Sequence, residues 1–513
     1  MRLKILLPVF LAISIASTSA VQAQKLSTNM DALIKRLDGF KEEVEQLRTK
    51  WNIPGLAVGI VTDSLVVWSK GFGVRNIKTE EPVTKETLFG IGSITKSFTA
   101  AGLGILNDQD KIEWDTPIRE YISSFKMYDH FSTEEMTTTD LLTHRTGLPR
   151  HDMLWYATDY SREDIARRLR YLKPTASFRT KYQYSNVMYI MAGYLSGQVS
   201  ESSWEEVTLE QIIKPLNLTH TILSTSRIQD MKNYARPYKG TPDTTIETSL
   251  YHFAAASPAG GIHSSVSDMN TWLQLFLNDG NYRGAQIIDS TTVAELTQPR
   301  IFTGYPPSFV ENYGSSSFYA FGWTVITHRG NRLLIHTGNI DGYLSLVGML
   351  PDQEVGWVIL ANKHSDPNPV HSIIMFELMD RILDKDTPDW NQKITNLINW
   401  SPEKNNTSQT KPTKSGKHSS PPPSHSLEDY IGTYTHPGYG TFDVTMEGDN
   451  LVAHFGTINS TLYHKKYDLF QFSYMMVGNE KTMNAQFKMD MNGDIVEVAV
   501  PMELAEPIVF TRE

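Results

Sequence analysis

The sequence predicts an α+β fold in which an antiparallel sheet is flanked by helices and carries a large helical insertion. A small all-β, barrel-like domain follows it. Apolar strand patterns occur near the N-terminus, at 56–73, and again at 321–361, with a mainly helical stretch at 93–277 between them. After residue 427 the pattern changes to short alternating strands separated by turn residues.

The large domain is predicted to begin with an amphipathic helix and a β-hairpin. Apolar residues recur at helical spacing over Asn29–Lys50, and Pro54-Gly55 ends that helix. Leu56–Val61 and Leu65–Gly73 form the hairpin, with Asp63-Ser64 at its turn. After the insertion we predict four strands and a final helix: Phe321–His328, Arg332–His336, Tyr343–Leu350, Val355–Ala361 and Val370–Leu383.

The first 23 residues have the order of a secretory signal peptide. Arg2 and Lys4 precede an apolar run over Ile5–Ile15, and small residues follow up to Ala23. This apolar run is too short to cross a bilayer core of ~30 Å at ~1.5 Å per residue; an uncleaved anchor is the alternative. We therefore expect an exported protein, periplasmic or secreted, with no stable membrane anchor after cleavage.

A segment of unusual composition, residues 401–426, separates the large domain from the β-domain. Residues 401–426 contain no aliphatic or aromatic side chain, so nothing there can offset the entropy lost on ordering. We predict a signal peptide at 1–23, the large domain at 24–400, a disordered linker at 401–426 and the β-domain at 427–513.

Charge and cysteine content exclude several classes of protein. The 57 acidic residues exceed the 47 lysines and arginines, and the formal net charge of −10 argues against a nucleic-acid partner. The sequence contains no cysteine, which excludes disulfides, thiolate nucleophiles and thiolate zinc sites. His-Glu-x-x-His is absent, and we expect neither a metal nor a cofactor. An exported enzyme of this composition would most naturally use a serine nucleophile.

The motif Ser-x-x-Lys occurs four times, beginning at Ser93, Ser123, Ser401 and Ser408, and only the first precedes a clear helix. A serine in the first turn of a helix has an unpaired N–H near the positive end of the helix dipole, where it can stabilise an oxyanion. Lys96, one turn on, would project from the same face, and burial would lower its pKa so that it accepts the serine proton. The alternative is a capping serine with a solvated lysine.

Two further segments supply candidate site residues. Tyr184 and Asn186 form the only Tyr-x-Asn in the chain. A phenol can relay a proton and an amide can fix a substrate carbonyl, while an ordinary core aromatic is the alternative. His336 follows an apolar strand, and after it Gly338 would allow close substrate approach while the N–H of Asn339 would supply a second oxyanion donor. A structural histidine is the alternative.

Taken in order, these motifs resemble those of the serine β-lactamase and penicillin-binding-protein superfamily. The closest likeness is to the branch of class C β-lactamases, D-alanyl-D-alanine carboxypeptidases and esterases, and it covers about 33–384. The resemblance implies a β-lactamase/transpeptidase-like fold with Ser93 as the acylated nucleophile and Lys96 as its base partner. It also implies that Tyr184 relays a proton and that Asn186 contacts the substrate. Residues 427–513 resemble the lipocalin-like β-domain appended to some of these hydrolases.

His336 departs from this pattern, because it stands where the family usually has a lysine. An imidazole with an ordinary pKa of ~6.5 is largely neutral at pH 7.5. This substitution resembles the aminopeptidase-type and esterase-type members, so we expect acyl-enzyme chemistry without strong β-lactam hydrolysis. If a protonated His336 anchors a substrate carboxylate, turnover of such substrates would rise as the pH falls towards 6.

We expect a Ser-Lys-Tyr hydrolase that acts on a small peptide, amide or ester. A peptidoglycan D-alanyl-D-alanine carboxypeptidase or a β-lactamase is the first alternative. A catalytically silent, penicillin-binding-protein-like binding or scaffold protein is the second. The expected partner is a small-molecule or peptide substrate. The sequence is also compatible with a homo-oligomer.

Overall fold

The structure is a computed structural model that describes residues 30–156, 158–304, 316–365, 368–399, 421–476, 479–502 and 506–513. The predicted signal peptide at 1–23 and residues 401–420 of the predicted linker lie outside these ranges. Within them, no helix is long and apolar enough to cross a membrane.

The helices of the large domain lie mostly in the predicted insertion. In chain order they are α1 Phe40–Lys50, α2 Thr95–Asp108, α3 Ile118–Tyr121, α4 His130–Glu135, α5 Thr138–Leu142, α6 Met153–Tyr156, α7 Arg162–Arg168, α8 Asn186–Ser200, α9 Trp204–Thr208, α10 Ser257–Gly260, α11 Val266–Leu277, α12 Ser290–Thr297, α13 Val370–Ile382 and α14 Trp390–Asn399.

The strands of the large domain are β1 Gly55–Thr62, β2 Val66–Asn76, β3 Glu81–Pro82, β4 Phe89–Gly90, β5 Thr221–Ile222, β6 Tyr238–Gly240, β7 Ile246–Glu247, β8 His263–Ser264, β9 Asn281–Tyr282, β10 Ala285–Gln286, β11 Ile301–Gly304, β12 Ser317–Tyr319, β13 Thr324–His328, β14 Asn331–Ile340, β15 Tyr343–Leu350, β16 Val355–Ala361 and β17 Lys363–Ser365.

One nine-stranded sheet joins the two ends of the large domain, in the order β11-β12-β13-β14-β15-β16-β1-β2-β3. The N-terminal strand β1 pairs antiparallel with β16, with Leu56 opposite Ala361, so the residues between β3 and β11 are inserted between strands of one sheet. This confirms the predicted antiparallel sheet with a helical insertion.

Strands β1, β15 and β16 are buried at every position, on both faces of the sheet, which explains why almost all of their residues are apolar. Along β1, Leu56, Val58 and Ile60 pack in one cluster with helices α1, α13 and α14. The alternate residues Ala57 and Val61 belong to a second cluster, which contains α2, α8 and α11. The side-chain period of two in a strand produces this division.

Several element bounds differ from the predicted ones. The predicted helix at 29–50 is interrupted, because residues 30–36 are helical and Gly39 then adopts a φ of +78° before α1 begins. Strand β14 continues past His336 to Ile340, so the third candidate motif lies within a strand. The stretch predicted as mainly helical also contains the short strands β5 to β8, which form small three-stranded sheets with β4 and β17.

The β-domain is a second nine-stranded sheet that curls into a nearly closed barrel. Its strands are β18 Gly432–His436, β19 Gly440–Glu447, β20 Asn450–Phe455, β21 Ile458–Thr461, β22 Tyr463–Lys466, β23 Leu469–Met476, β24 Asn479–Met489, β25 Ile495–Val500 and β26 Ile508–Arg512. Their order is β21-β20-β19-β18-β26-β25-β24-β23-β22. Buried aromatic side chains, among them Phe442, Phe472 and Phe510, fill its interior.

The ordered part of the β-domain begins before Leu427. Ser424, which we assigned to the disordered linker, donates its hydroxyl to Asp468 Oδ1 at 2.6 Å. The neighbouring His425 bonds through Nε2 to the carbonyl of Gly493. Composition did not reveal this, because polar side chains here are ordered by partners more than 40 residues away in sequence.

Candidate active site

Ser93 and Lys96 lie together at the start of α2. The short 3-10 turn Gly92–Ile94 carries the serine, and the lysine occupies the first turn of the helix. Lys96 Nζ is 3.1 Å from Ser93 Oγ. The lysine is fully buried, with 0% of its surface exposed, so it is not a solvated side chain beside a capping serine.

The other Ser-x-x-Lys pairs do not show this arrangement where the structure describes them. Ser123 and Lys126 are both exposed. Ser401 and Ser408 lie outside the described residues. Burial of the lysine therefore distinguishes the first pair from the second, although the two have the same spacing.

Burial of Lys96 favours its neutral form, whereas two hydrogen-bond acceptors favour the charged one. Its ammonium donates to Asn186 Oδ1 at 2.8 Å and to the carbonyl of Ala259 at 2.7 Å. Burial lowers the pKa of Lys96 well below its ordinary value, the Arg150 guanidinium lowers it further, and Asp152 opposes them. The lowered pKa favours a neutral amine, and a neutral amine can accept a proton from Ser93.

Tyr184 lies beside both members of the pair. Its ring centroid is 4.8 Å from Lys96 Nζ. Burial raises the pKa of Tyr184, and a side-chain hydrogen bond with Ser93 acts in the opposite direction. The phenol therefore keeps its proton at neutral pH and is within reach of the serine, as a proton relay requires.

Asn186, the first residue of α8, is buried and bonds to Lys96. Its side-chain oxygen accepts from Lys96, and its Nδ2 donates to Asp152 Oδ1 at 3.0 Å. Only 7% of the residue is exposed. In this structure the amide positions Lys96, whereas the family resemblance implied a substrate contact.

Gly338 and Asn339 bring β14 against the turn that carries Ser93. A Cβ at Gly338 would lie 1.9 Å from the carbonyl oxygen of Ile91, so the glycine allows close packing of the strand on this turn. Gly92 has a φ of +51°, and a Cβ there would lie 2.8 Å from the backbone nitrogen of Asn339. The turn with Ser93 and the strand with Asn339 are therefore in contact, which brings the two candidate oxyanion donors, the N–H groups of these residues, into adjoining segments.

In the described part of the chain, one edge of β14 has no paired strand where these residues lie. Pairing with β13 ends at Ile335, opposite Thr324, while pairing with β15 continues to Ile340. An extended substrate can add to such an edge through main-chain hydrogen bonds.

The surroundings of His336 favour its neutral imidazole, which argues against the condition that it is protonated near pH 6. Its Nδ1 is 2.7 Å from the carbonyl oxygen of Thr337, which can only accept, so Nδ1 carries the proton. Its Nε2 accepts from the hydroxyl of Tyr319 at 3.0 Å. Burial lowers the pKa of His336 to about 3, the charge of Lys96 contributes, and the bond to Thr337 opposes both.

Arg150 and Asp152 are site residues that the sequence analysis missed. Asp152 is buried and accepts from Arg150 Nε at 2.6 Å, from Trp155 at 2.8 Å and from Asn186. Arg150 lies over the ring of Tyr184, with its guanidinium carbon 5.4 Å from the ring centroid. The feature of the sequence that could have indicated them is a run of three polar residues, 150–152, directly after Pro149.

His144 was also missed, and it lies at the centre of the aromatic side chains of the site. It is fully buried with a φ of +58°, and its Nδ1 accepts from the backbone N–H of Ser185 at 3.2 Å. Its ring lies 4.5 Å from that of Tyr184 and 4.8 Å from that of Tyr319. Burial, followed by the charge of Lys96, holds the pKa of His144 well below its ordinary value.

Metal chemistry has no obvious ligands in the described part of the chain. Over these residues, no group of three or more histidines and carboxylates could hold a metal ion.

The sheet with its helical insertion and the buried Ser-Lys pair define a protein of the serine β-lactamase and penicillin-binding-protein superfamily. The chain belongs to the Beta-lactamase family, whose sequence pattern matches residues 40–377. A domain of unknown function (DUF3471) matches residues 417–512, which include the β-domain.

Relatives and a solved structure agree with this assignment. The chain is 30% identical over 498 residues to the unguisins hydrolase ungD of Aspergillus violaceofuscus, covering 89% of this chain and 86% of that protein. It is 28% identical over 481 residues to the unguisins hydrolase ungD' of Aspergillus campestris, covering 88% and 87%. The octameric penicillin-binding protein homologue from Pyrococcus abyssi has a similar fold, with a TM-score of 0.59 and 22% identity over 92% of this chain and 99% of that chain.

Proposed function

We propose that the chain is an exported serine hydrolase that forms an acyl-enzyme on Ser93 and acts on small peptide, amide or ester substrates. One observation carries the proposal: a fully buried lysine has its amine 3.1 Å from the hydroxyl of Ser93. The position of this amine beside a hydroxyl that can give it a proton is explained if the neutral amine serves as a base. A silent scaffold would not need that arrangement.

In the acylation step, the neutral amine of Lys96 takes the hydroxyl proton while Ser93 Oγ forms a bond to the substrate carbonyl carbon. The carbonyl oxygen becomes an oxyanion, which the N–H groups of Ser93 and Asn339 stabilise. The positive end of the α2 dipole lies on the same side and adds to that stabilisation.

In the following steps, the bond between the carbonyl carbon and the leaving group breaks, and Tyr184 passes a proton from Lys96 to the leaving group. A water molecule then gives a proton to Lys96 while its oxygen bonds to the acyl carbon, and Ser93 Oγ leaves with a proton. Because burial raises the pKa of Tyr184, the phenol is protonated, and it gives its proton to the leaving group as it receives one from Lys96.

The substrate class follows from the charges around the site. Neutral His336 offers no cation at the position of the family's usual lysine, which supports esters and amides without a carboxylate. The names of the two fungal relatives, both hydrolases, agree with hydrolysis as the reaction.

Arg150 supports a second candidate, the peptidoglycan D-alanyl-D-alanine carboxypeptidase. Its side chain is 54% exposed and its guanidinium lies over the ring of Tyr184, so it could meet a substrate carboxylate near the reacting atoms. Rates on matched peptides with a free and an amidated C-terminus separate the two candidates.

Export and assembly belong to the same proposal. The pattern of residues 1–23 supports export to the periplasm or beyond. The Pyrococcus abyssi homologue is octameric, which supports a homo-oligomer for this chain.

The test is to incubate the protein with a fluorescent penicillin and with p-nitrophenyl acetate and to locate the acyl adduct by mass spectrometry. We expect the adduct on Ser93, and Ser93→Ala should lower ester turnover by about a thousandfold or more. Ser123→Ala is the matched control, because Ser123 has the same motif on the surface. An unmodified Ser93 with every acyl donor, together with full activity of Ser93→Ala, would refute the proposal.

A further inference from the structure

The turn between β18 and β19 of the β-domain lies against the large domain next to the active site. Arg168 of α7 donates to the carbonyl of Gly438 at 3.1 Å. The hydroxyl of Tyr160 donates to the carbonyl of Tyr439 at the same distance, 3.1 Å. The guanidinium of Arg168 also stacks on the ring of Tyr160, 3.8 Å from its centroid. Side chains of the large domain thus hold the backbone of this turn.

Tyr439, in this turn, packs its ring against the β-domain residues His436, Phe455 and Phe510 and meets the large domain through its hydroxyl. It is fully buried, and its hydroxyl is 2.7 Å from His151 Nδ1. The turn is itself fixed, because the backbone N–H groups of Gly438 and Tyr439 both donate to His436 Nδ1, at 3.0 and 3.1 Å. These bonds fix the position from which Tyr439 contacts His151.

His151 immediately precedes Asp152, which accepts from Asn186, and Asn186 in turn accepts from Lys96. His151 has a φ of +50°, in the left-handed region that is uncommon for residues other than glycine, although histidine enters it more readily than most, so constraints on its side chain help to hold it there. The hydrogen bond to Tyr439 is one such constraint. His151, which contacts the β-domain, is therefore the direct chain neighbour of Asp152, whose carboxylate accepts from the Asn186 amide.

We propose that Tyr439 is a positioning residue of the active site: by holding His151, it fixes Asp152 and Asn186 and so places the amine of Lys96 at Ser93. The inference rests on the proposed function, since it assigns to the β-domain a part in that chemistry. Tyr439 does not touch the reacting atoms. The β-domain thereby completes the active site instead of merely following it in the chain.

The direction of the pH effect follows from the charges around Lys96. The side chains that act on Lys96 or lie against it are Arg150, Asp152, His144, His336, Tyr184 and Tyr189. The titratable and charged side chains near His151 and its partner Tyr439 are His436, Tyr160, Arg168 and Asp152. Asp152 raises the pKa of Lys96, so a loosened carboxylate lets that pKa fall further.

The test compares Tyr439→Phe with Tyr434→Phe. Each substitution removes one hydroxyl from a fully buried ring, but the hydroxyl of Tyr434 donates to the carbonyl of Tyr430 within the β-domain, at 2.9 Å. We expect Tyr439→Phe to lower kcat for p-nitrophenyl acetate by about tenfold with little change in KM, because Lys96 is misplaced. The acidic limb of its kcat/KM profile should move to lower pH. Tyr434→Phe should keep the wild-type kcat and profile.

Substitution at His151 supplies an independent variant. Asparagine tolerates the left-handed backbone and offers a hydrogen-bonding side chain, so His151→Asn should retain more activity than His151→Ala. The inference is overturned if the wild-type protein acylates Ser93 and Tyr439→Phe and Tyr434→Phe have equal kcat and the same pH profile. A wild-type protein without acylation at Ser93 would instead refute the proposed function.

Discussion

Two lysines, Lys96 and Lys363, are fully buried in the large domain, but their surroundings differ. Lys363, at the start of β17, donates to the backbone carbonyls of Asn52 at 3.0 Å and Thr241 at 2.9 Å. Lys96 donates to a backbone carbonyl, to an amide oxygen and to the hydroxyl of Ser93. Burial lowers the pKa of both amines, and that of Lys96 falls further.

The comparison shows that burial alone does not make a lysine a base. Carbonyl oxygens can only accept, so the partners of Lys363 bind a protonated amine and have no proton to give. A serine hydroxyl both accepts and donates, so Ser93 can reverse its bond to Lys96 when the amine is neutral. The charges also differ, because Arg150 lowers the pKa of Lys96 while Asp243 opposes the lowering at Lys363.

The largest expected effect is on activity. Lys96→Met removes the group that takes the proton from Ser93, so kcat/KM for p-nitrophenyl acetate should fall by about 10²- to 10⁴-fold. Lys363→Met is the matched control and should keep the wild-type kcat/KM within about twofold. Equal losses in the two variants would mean that Lys96 supports the fold and not the chemistry.

The next effect concerns stability, and its sign follows from linkage. In the folded state the pKa of Lys96 lies well below that of an unfolded lysine, so the unfolded chain binds more protons between the two values. The free energy of unfolding therefore rises with pH in this window, by at most about 1.4 kcal/mol per pH unit. Lys96→Met abolishes that contribution.

Urea unfolding of wild type and both methionine variants at pH 7, 8.5 and 9.5 measures this contribution. We expect the wild type to gain stability relative to Lys96→Met as the pH rises. A smaller gain is expected relative to Lys363→Met, since the pKa of Lys363 is lowered less. A pH-independent difference between wild type and Lys96→Met would mean that the amine stays charged in the folded protein.

The smallest expected effect concerns His336, whose protonation state should not change between pH 8 and 5. Because its pKa is lowered to about 3, this imidazole stays neutral from pH 8 down to 5. The ratio of kcat/KM for a carboxylate-bearing ester to that for its neutral analogue should therefore stay constant over this range. A ratio that rises towards pH 5, and that does so less in His336→Gln, would show that the histidine takes up a proton.

The sequence predicted the parts of the site that local geometry determines. Ser93 and Lys96 are three residues apart at a helix start, so any helix there places both on one face. Strands β1, β15 and β16 were predicted closely, because long apolar runs are typical of strands buried on both faces, whereas the short strands β3, β11 and β12 were not predicted. The identity of the large domain followed from the order of three motifs along the chain.

The charge of His336 could not be predicted in this way. Its ordinary pKa suggested a group that titrates near pH 6, but burial and Lys96 lower the pKa to about 3. The role of Asn186 was likewise uncertain, because its partners Lys96 and Asp152 are 90 and 34 residues away. Both properties depend on which segments pack around the residue.

By itself, the sequence determined the fold class, the domain order and the Ser93–Lys96 pair, because period and spacing act within a few residues of the chain. The tertiary structure decided the rest of the site. It buried Lys96, made His336 neutral, and brought Tyr439 to His151 across 288 residues. Such contacts and the pKa values they set arise from packing between distant segments, where burial and neighbouring charge act through space and leave no local pattern.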